Sequence, residues 1–262
     1  MSEQTTNKKD LESQSVERMN NVVGNLDKLD GIDCQLCKNK GYIWYVDDEH
    51  PFATMKQCEC MNKRESVRNA KRSGLNHLLD KRLNDFVVND VWQNIMRVTC
   101  VNYLLTKGKE WLTILGQSGS GKTHLASAVA NVYLSKGVGV RYTVWPELMK
   151  QVKSEMFDDG LDEKQTTIYK IKTIPVLYID DLFKGKISDA DKSITYEIIN
   201  YRYNNALTTL ITSEFVVQQL RSIDEAIAGR IVEMSGKYLL EVNPDKYKNY
   251  RFNKNQEGYT RL

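Results

Sequence analysis

An α/β fold, with a parallel sheet between helices and a small cysteine-rich module ahead of it, is what this sequence predicts, on three observations. From Trp111 onward, short apolar runs alternate with stretches of helical length, the pattern of strands joined by crossover helices. A glycine-rich segment, Gly116-Gln-Ser-Gly-Ser-Gly-Lys-Thr123, ends the first of those runs and opens a helical stretch. Four of the five cysteines fall within residues 34–60. The chain of 262 residues is 41% hydrophobic with only 4 prolines, which supplies a sizeable core and excludes a collagen-like or wholly disordered protein. No run nears the roughly 18 uninterrupted apolar residues of a membrane span, and the first ten residues lack the apolar centre of a secretory signal. A cytoplasmic protein with no membrane partner is therefore expected.

Taken in order, residues 1–30 are polar and acidic, with a weak helical stripe at Leu11, Val16, Met19, Val22, Val23 and Leu26 that predicts a short amphipathic helix or helix pair. Next come Cys34-Gln-Leu-Cys37 and Cys58-Glu-Cys60, flanking a strand-like Gly41–Val46. A CxxC knuckle lets two thiolates converge on one ion, and a second pair about 20 residues later completes a tetrahedron suited to Zn²⁺. The second pair is a tight CxC, so His50 stands as a reserve ligand. A closed site of four ligands folds a module rather than catalysing. The fifth cysteine, Cys100, sits among Val98, Val101 and Leu104 and reads as a core thiol.

The predicted boundaries are 1–61 for an N-terminal interaction region with the zinc module, 62–110 for a basic helical connector, and 111–262 for the α/β domain. Between residues 61 and 82 lie Lys63, Arg64, Arg68, Lys71, Arg72, Lys81 and Arg82 against Glu65 and Asp80, a net +5 that an acidic partner or polyanion could use. In the α/β domain the apolar runs predict strands at 111–116, 138–144, 174–180 and 207–213. Helices are expected at 122–135, 146–157, 190–205 and 216–234.

The segment from Gly116 to Thr123 matches GxxxxGK[ST] in the required strand-to-helix context. Gly116, Gln117, Ser118, Gly119, Ser120 and Gly121 would wrap backbone N–H groups around phosphate oxygens, with His124 adjoining. Lys122 would reach the β and γ phosphates of ATP, and the Thr123 hydroxyl would ligate Mg²⁺. Some 60 residues on, Val176-Leu-Tyr-Ile-Asp180-Asp181 is an apolar strand ending in two carboxylates. Asp180 is placed to hold Mg²⁺, and Asp181 to act as general base toward the attacking water.

This succession, followed by Ile211-Thr-Ser-Glu214 and by Ala226-Ile-Ala-Gly-Arg-Ile231, resembles the AAA+ ATPases of the DnaC/DnaI helicase-loader group. The likeness extends to the Cys-rich N-terminus, to Gly74-Leu75 and to the closing Asn249-Tyr-Arg-Phe252. Ile179-Asp-Asp-Leu-Phe-Lys-Gly-Lys186 looks most like loaders carried by phages of Gram-positive bacteria. The resemblance implies an AAA+ domain with a truncated lid. It also implies a sensor 1 residue at Thr212–Ser213, Ser213 or one of its neighbours. Arg230 matches an arginine finger reaching a neighbouring subunit's ATP, which implies a homo-oligomer, and Arg202 is a weaker candidate for a similar role. Many relatives carry Asp-Glu where this chain has Asp180-Asp181, and Asn where Glu214 stands. Near Lys150 and Lys153, on a helix with Leu148, Val152 and Met156 along one face, the resemblance implies contact with single-stranded DNA.

The function expected from all this is ATP-dependent loading of a replicative hexameric DNA helicase onto single-stranded DNA, with ATP hydrolysis resetting the loader. A transposase-helper ATPase of the IstB type is the alternative. A small-molecule kinase would need a mobile arginine-rich lid that the sequence does not display, and a zinc-dependent DNA-binding regulator would leave the phosphate loop idle.

Overall fold

The computed structural model describes residues 2–72, 75–106, 110–156, 160 and 162–253. Gly74 of the Gly74-Leu75 pair lies outside the described residues. The chain forms two compact units, Met1–Arg68 and Asn69–Leu262.

In the first unit, helix α1 (Ser2–Asn21) ends before Val22, Val23 and Leu26, so the expected stripe is only partly helical. The Asn20 side chain ties α1 to a hairpin of β1 (Tyr42–Tyr45) and β2 (Thr54–Gln57), exchanging two hydrogen bonds with the Trp44 backbone at 2.8 and 2.9 Å. The strands are antiparallel, Tyr42 opposite Gln57 and Tyr45 opposite Thr54. Helix α2 (Cys60–Arg72) follows. The basic stretch that begins here is less available than its charge suggests. Arg64 is fully buried against Asp30, Nη1 to Oδ1 at 2.9 Å, and Arg68 reaches both Asp30 and Asp27. Two of the connector's cations thus neutralise carboxylates of the acidic N-terminal arm.

After the last residues of α2, the second unit continues with α3 (Asn76–Leu79) and α4 (Val91–Leu104), the latter capped by an Asp90–Gln93 capping box. Cys100 is a buried core thiol, as expected. The remaining elements are β3 (Leu112–Gly116), α5 (Lys122–Ser135), β4 (Val140–Val144), α6 (Trp145–Glu155), α7 (Thr167–Thr173), β5 (Val176–Asp180), α8 (Asp189–Asn204), β6 (Thr208–Ser213), α9 (Val217–Ile223), α10 (Glu225–Ser235), β7 (Leu239–Val242) and α11 (Tyr250–Asn253). The sheet is wholly parallel, in the order β4-β5-β6-β3-β7.

Strands β3, β5 and β6 are buried on both faces, which is why they read as unbroken apolar runs. Leu115, Leu177, Ile179 and Ile211 pack with Trp145, Leu148, Val152, Ile194, Ile198 and Ile231 from the α6–α10 layer. Helix α5 covers the opposite face, and its small residues Ala126, Ala128 and Ala130 are buried.

Three differences from the sequence-based elements have physical causes. The expected helix 216–234 is two helices, because the extended Asp224 ends α9 and its carboxylate caps α10 by accepting the Ile227 N–H at 2.9 Å. A fifth strand, β7, completes the sheet beside β3; it has four residues and only Val242 is buried, so no apolar pattern marks it. On α6 the buried face is Leu148, Met149 and Val152, while Met156 is 61% exposed beyond the helix end. Among the described residues no helix is long and apolar enough to cross a membrane.

Candidate functional site

Strand β3 delivers the phosphate loop to the carboxyl edge of the sheet, between β6 and β7. Two of the loop's glycines are dictated by close approach. Gly116 has φ +102°, and a Cβ there would lie 2.1 Å from the Val242 carbonyl of β7. At Gly121, φ +89°, a Cβ would meet the Phe86 ring at 2.5 Å. Lys122 is buried and folds back on its own loop, its ammonium donating to the Gly116 and Gln117 carbonyls at 2.7 and 2.8 Å. Burial pushes its pKa down, against the opposing pull of Glu214, Asp181 and Asp180.

A single pocket of about 610 Å³ brings together Ser118, Gly119, Ser120, Gly121, Lys122, Thr123, His124, Asp180 and Asp181. Gly116 and Gln117 serve it from behind, through the carbonyls that hold Lys122. The Thr123 hydroxyl donates to Asp180 Oδ1 at 3.0 Å, as do the Tyr178 hydroxyl at 2.8 Å and, more closely, the Thr212 hydroxyl. Tyr178 and Asp180 are two residues apart on one strand and so share a face. Burial and the adjacent Asp180 charge push the Tyr178 hydroxyl well up, so it stays a donor. The oxygens of Thr123 and Asp180 form a donor set suited to a hard divalent cation such as Mg²⁺. His124 lies edge-on to Phe86, ring centroids 5.6 Å apart, with Nε2 at 2.8 Å from the Arg82 carbonyl oxygen. His77, Leu78 and Val87 line the same pocket.

Lys184 and Glu214 are charged residues of this pocket that were assigned no role from the sequence. Lys184, three residues after Asp181, donates to Asp181 Oδ2 at 2.9 Å and to Glu214 Oε1 at 3.3 Å. The Asp181 bond, above all, pushes the Lys184 pKa up. Burial would raise Glu214, but Lys184, the Ser118 hydroxyl and Lys122 outweigh it and bring its carboxyl below the usual range. The basic residue three positions beyond the carboxylate pair was visible in the sequence; its second partner, on another strand, was not.

Ser213 and Arg230 do not line the pocket. The Ser213 hydroxyl is buried and donates to the Leu182 carbonyl at 2.7 Å. Its neighbour Thr212 is the one that contacts Asp180 and accepts the Asp181 N–H, at 3.1 Å. Arg230, on α10, stacks over Tyr196 and Tyr203 at 5.0 and 5.5 Å from the ring centroids and donates to Asn200 Oδ1 at 3.0 Å. Arg202 cannot take an inter-subunit role. It is fully buried, its guanidinium bonded to the carbonyls of Ile171, Ile174 and Thr208 and to the Thr209 hydroxyl, where it caps the end of α7. Lys153 is likewise engaged, 2.6 Å from Asp191 Oδ1 at the start of α8, whereas Lys150 is exposed.

In the first unit the four sulfurs of Cys34, Cys37, Cys58 and Cys60 all lie within 4.8 Å of one another. The Cys34–Cys58 and Cys37–Cys60 separations are 3.8 and 3.6 Å. Tetrahedral zinc with Zn–S bonds near 2.3 Å requires sulfurs about 3.8 Å apart, so the cluster fits that ion, and the gaps are far beyond a disulfide's roughly 2 Å. Lys38, Asn39 and Gly41 take left-handed φ values of 48°, 62° and 87°, curling the knuckle until the Gly41 N–H donates to Cys37 Sγ at 3.4 Å. Burial raises the Cys37 thiol, but that bond and the neighbouring thiols outweigh it and bring its pKa down to about 7. His50 is outside the cluster, bonded to Asp47 Oδ1 at 2.9 Å and edge-on to Tyr45.

Comparison with known proteins matches residues 61–250 to the family described as IstB-like ATP binding protein. Two relatives from Bacillus subtilis are each 31% identical to this chain. The phage-like element PBSX protein XkdC aligns over 82% of this chain and 84% of its own length. Uncharacterized protein YqaM aligns over 73% of this chain, which spans only 64% of YqaM. Among solved structures, that of the DnaC helicase loader superposes with a TM-score of 0.55 at 28% identity, covering 63% of this chain and 98% of that one. The structure of DnaI gives 0.54 at 26% identity, covering 67% and 93%.

Proposed function

This chain belongs to the IstB-like, DnaC/DnaI-type AAA+ family of ATP-binding proteins, and from that premise we propose that it is an ATP-dependent loader of a replicative DNA helicase. The observation that carries the reading is the single pocket in which Lys122, Thr123, Asp180 and Asp181 meet. On binding ATP, Lys122 exchanges the loop carbonyls for the β and γ phosphates. Thr123 and Asp180 would hold Mg²⁺, which when bound would supply neutralisation of the phosphate charge. Asp181 orients the attacking water and takes its proton. Arg230, standing away from its own pocket on two tyrosine faces, serves the ATP of the next subunit, so turnover needs a homo-oligomer.

The four-cysteine unit, with zinc as its structural ion, is the part of the loader that grips the helicase. The ATPase unit contacts single-stranded DNA with Lys150 and its neighbours. The transposase-helper reading draws support from the description of the matching family, whose match begins at residue 61, after the cysteine pairs. Co-purification separates the two. The chain should retain a hexameric replicative helicase in the presence of ATP and Mg²⁺, and Lys122→Ala should lose both nucleotide binding and loading. Retention of a transposase instead of the helicase, or normal loading by Lys122→Ala, defeats the loader reading.

A further inference from the structure

We propose that Lys184 is a ligand for the terminal phosphate of a nucleoside triphosphate, and that by neutralising Glu214 it allows this pocket to accept a third phosphate. The proposal rests on the ATP-binding reading above and extends it to how the pocket tells ATP from ADP.

Asp85, Asp180, Asp181 and Glu214 line the pocket with the cations Lys81, Lys122, Lys184 and Arg251, and of these cations Lys184 is the one in ion-pair distance of Asp181 and Glu214. Glu214 lines the same pocket as Ser118 and Lys122 of the phosphate loop, and against the upward push of burial both act to lower its pKa. A carboxylate beside a phosphate loop opposes binding of a polyanion unless a cation answers it. Lys184 is that cation. Its ammonium bridges Asp181 at the end of β5 and Glu214 just past β6, at 2.9 and 3.3 Å.

The ammonium comes from a fixed base and has a free end. Lys184 N–H donates to the Asp181 carbonyl at 3.0 Å, and the two preceding residues, Leu182 and Phe183, are fully buried. The side chain is nonetheless 47% exposed, so it can swing between its two carboxylates and an incoming anion. Lys122 and the loop N–H groups serve the phosphates common to ATP and ADP. Lys184 lines the pocket beside Asp181 and Glu214 at the strand ends rather than on the loop itself, so the third phosphate, and not the two that the loop holds, is the one proposed for it. Engagement by that phosphate draws the ammonium off Asp181 and leaves this carboxylate to its water, so ATP and not ADP readies the base.

The test is a four-protein cycle in which the Kd values of Mg·ATP and Mg·ADP are measured for the full chain, Lys184→Met, Glu214→Gln and the double variant, using a non-hydrolysable triphosphate to prevent turnover. Lys184→Met should weaken triphosphate binding at least tenfold, equivalent to about 1.4 kcal/mol, with ADP changed less than threefold. Glu214→Gln should bind triphosphate at least as tightly as the parent, and the double variant should return to within threefold of the parent. Retained ADP binding by Lys184→Met certifies a folded site. Equal weakening of both nucleotides, no weakening, or no rescue by Glu214→Gln overturns the proposal while leaving the ATP-binding reading in place. Failure of the parent chain to bind either nucleotide sinks that reading and the proposal with it.

Discussion

Replacing Arg64 with Met should destabilise the N-terminal unit by about 3 kcal/mol, a figure that follows from what the guanidinium holds. It is fully buried, and its nitrogens donate to Asp30 Oδ1 and Oδ2 at 2.9 and 3.0 Å, to the carbonyls of Asp27 and Ile32 at 2.9 Å, and to Asn39 Oδ1 at 2.6 Å. Asn39 in turn receives the Cys34 N–H at 3.0 Å, so the arginine reaches the cysteine cluster through one intermediate. Methionine keeps the aliphatic stem but strands a buried carboxylate. Breaking a buried ion pair from one side costs about 3–5 kcal/mol. The lower end applies because Arg68 Nε still donates to Asp30 Oδ2 at 3.1 Å and the Ile32 N–H to Oδ1 at 3.1 Å. The assay is reaction of the cluster thiols with a chromogenic reagent along a urea titration. Replacing Cys100, the one cysteine of the other unit, with alanine in both proteins makes that readout specific to this unit. With a slope near 1 kcal/mol per molar for so small a unit, the midpoint should fall by roughly 3 M. Adding Asp30→Asn should recover part of the loss by removing the stranded charge. A loss below about 1 kcal/mol, or no recovery in the double variant, refutes the idea that this pair anchors the knuckle.

Three further outcomes are expected. Arg230→Ala should leave ATP affinity within about threefold but lower turnover by at least about 100-fold, since a trans arginine acts on the transition state; mixing it with Lys122→Ala subunits should restore part of the activity, and failure of that complementation argues against a finger in trans. Chelation with a strong zinc chelator should lower the unfolding temperature of the cysteine-rich unit while ATP binding by the other unit persists, as followed by calorimetry and nucleotide titration. Burial pushes Asp191 up, but Lys153 and Ser188 outweigh it and hold its carboxyl below the ordinary 3.8. A carboxyl depressed in the folded state stabilises fully above its unfolded pKa, and that contribution vanishes as pH falls through the lower folded value. The gap in melting temperature between the parent and Asp191→Asn should thus be constant from pH 5 to 7 and shrink below about pH 4; a gap independent of pH would remove Asp191 from the acid response.

What the sequence displayed were features carried by single segments. Strands β3, β5 and β6 are apolar throughout because both faces are covered, and the phosphate loop and Asp180–Asp181 are contiguous motifs. What it hid were relations between segments. Strand β7 is specified by its pairing with β3, which its own four residues do not announce. The connector's charge read as a free cationic surface because Arg64 and Arg68 meet Asp27 and Asp30 only in three dimensions, across 34 to 41 positions. Arg202 shows the same blindness in reverse: an arginine on a polar-looking helix gave no sign that six carbonyl and hydroxyl contacts enclose it. The break at Asp224 was legible in principle, since an aspartate three residues before the Ile227 N–H it accepts is an ordinary N-cap signal.

The ends of β5 and β6 form one stiff frame, and that decides which groups can respond to a nucleotide. Leu182 N–H donates to the Thr212 carbonyl at 2.8 Å, the Ser213 hydroxyl to the Leu182 carbonyl at 2.7 Å, and the Asp181 N–H to the Thr212 hydroxyl at 3.1 Å. Behind them Phe183 is fully buried and packs edge-on against Trp145, centroids 5.4 Å apart. Asp181 and Phe183 sit at φ of 56° and 64°, a left-handed conformation costing roughly 1–2 kcal/mol each, which persists because these contacts over-determine it. Ser213 belongs to this frame by its bonds, and a backbone so constrained does not register a phosphate by shifting. The groups free to move are the ends of long side chains. Lys122 rests on carbonyls it can leave, Lys184 lies half-exposed between two carboxylates, and Arg230 is laid across two tyrosine rings. All three are cations, so on the function proposed above ATP would act by rearranging positive charge over a fixed frame of acids and hydroxyls. A variant that alters the frame should therefore change stability first, and one that alters a cation should change nucleotide response at nearly constant stability.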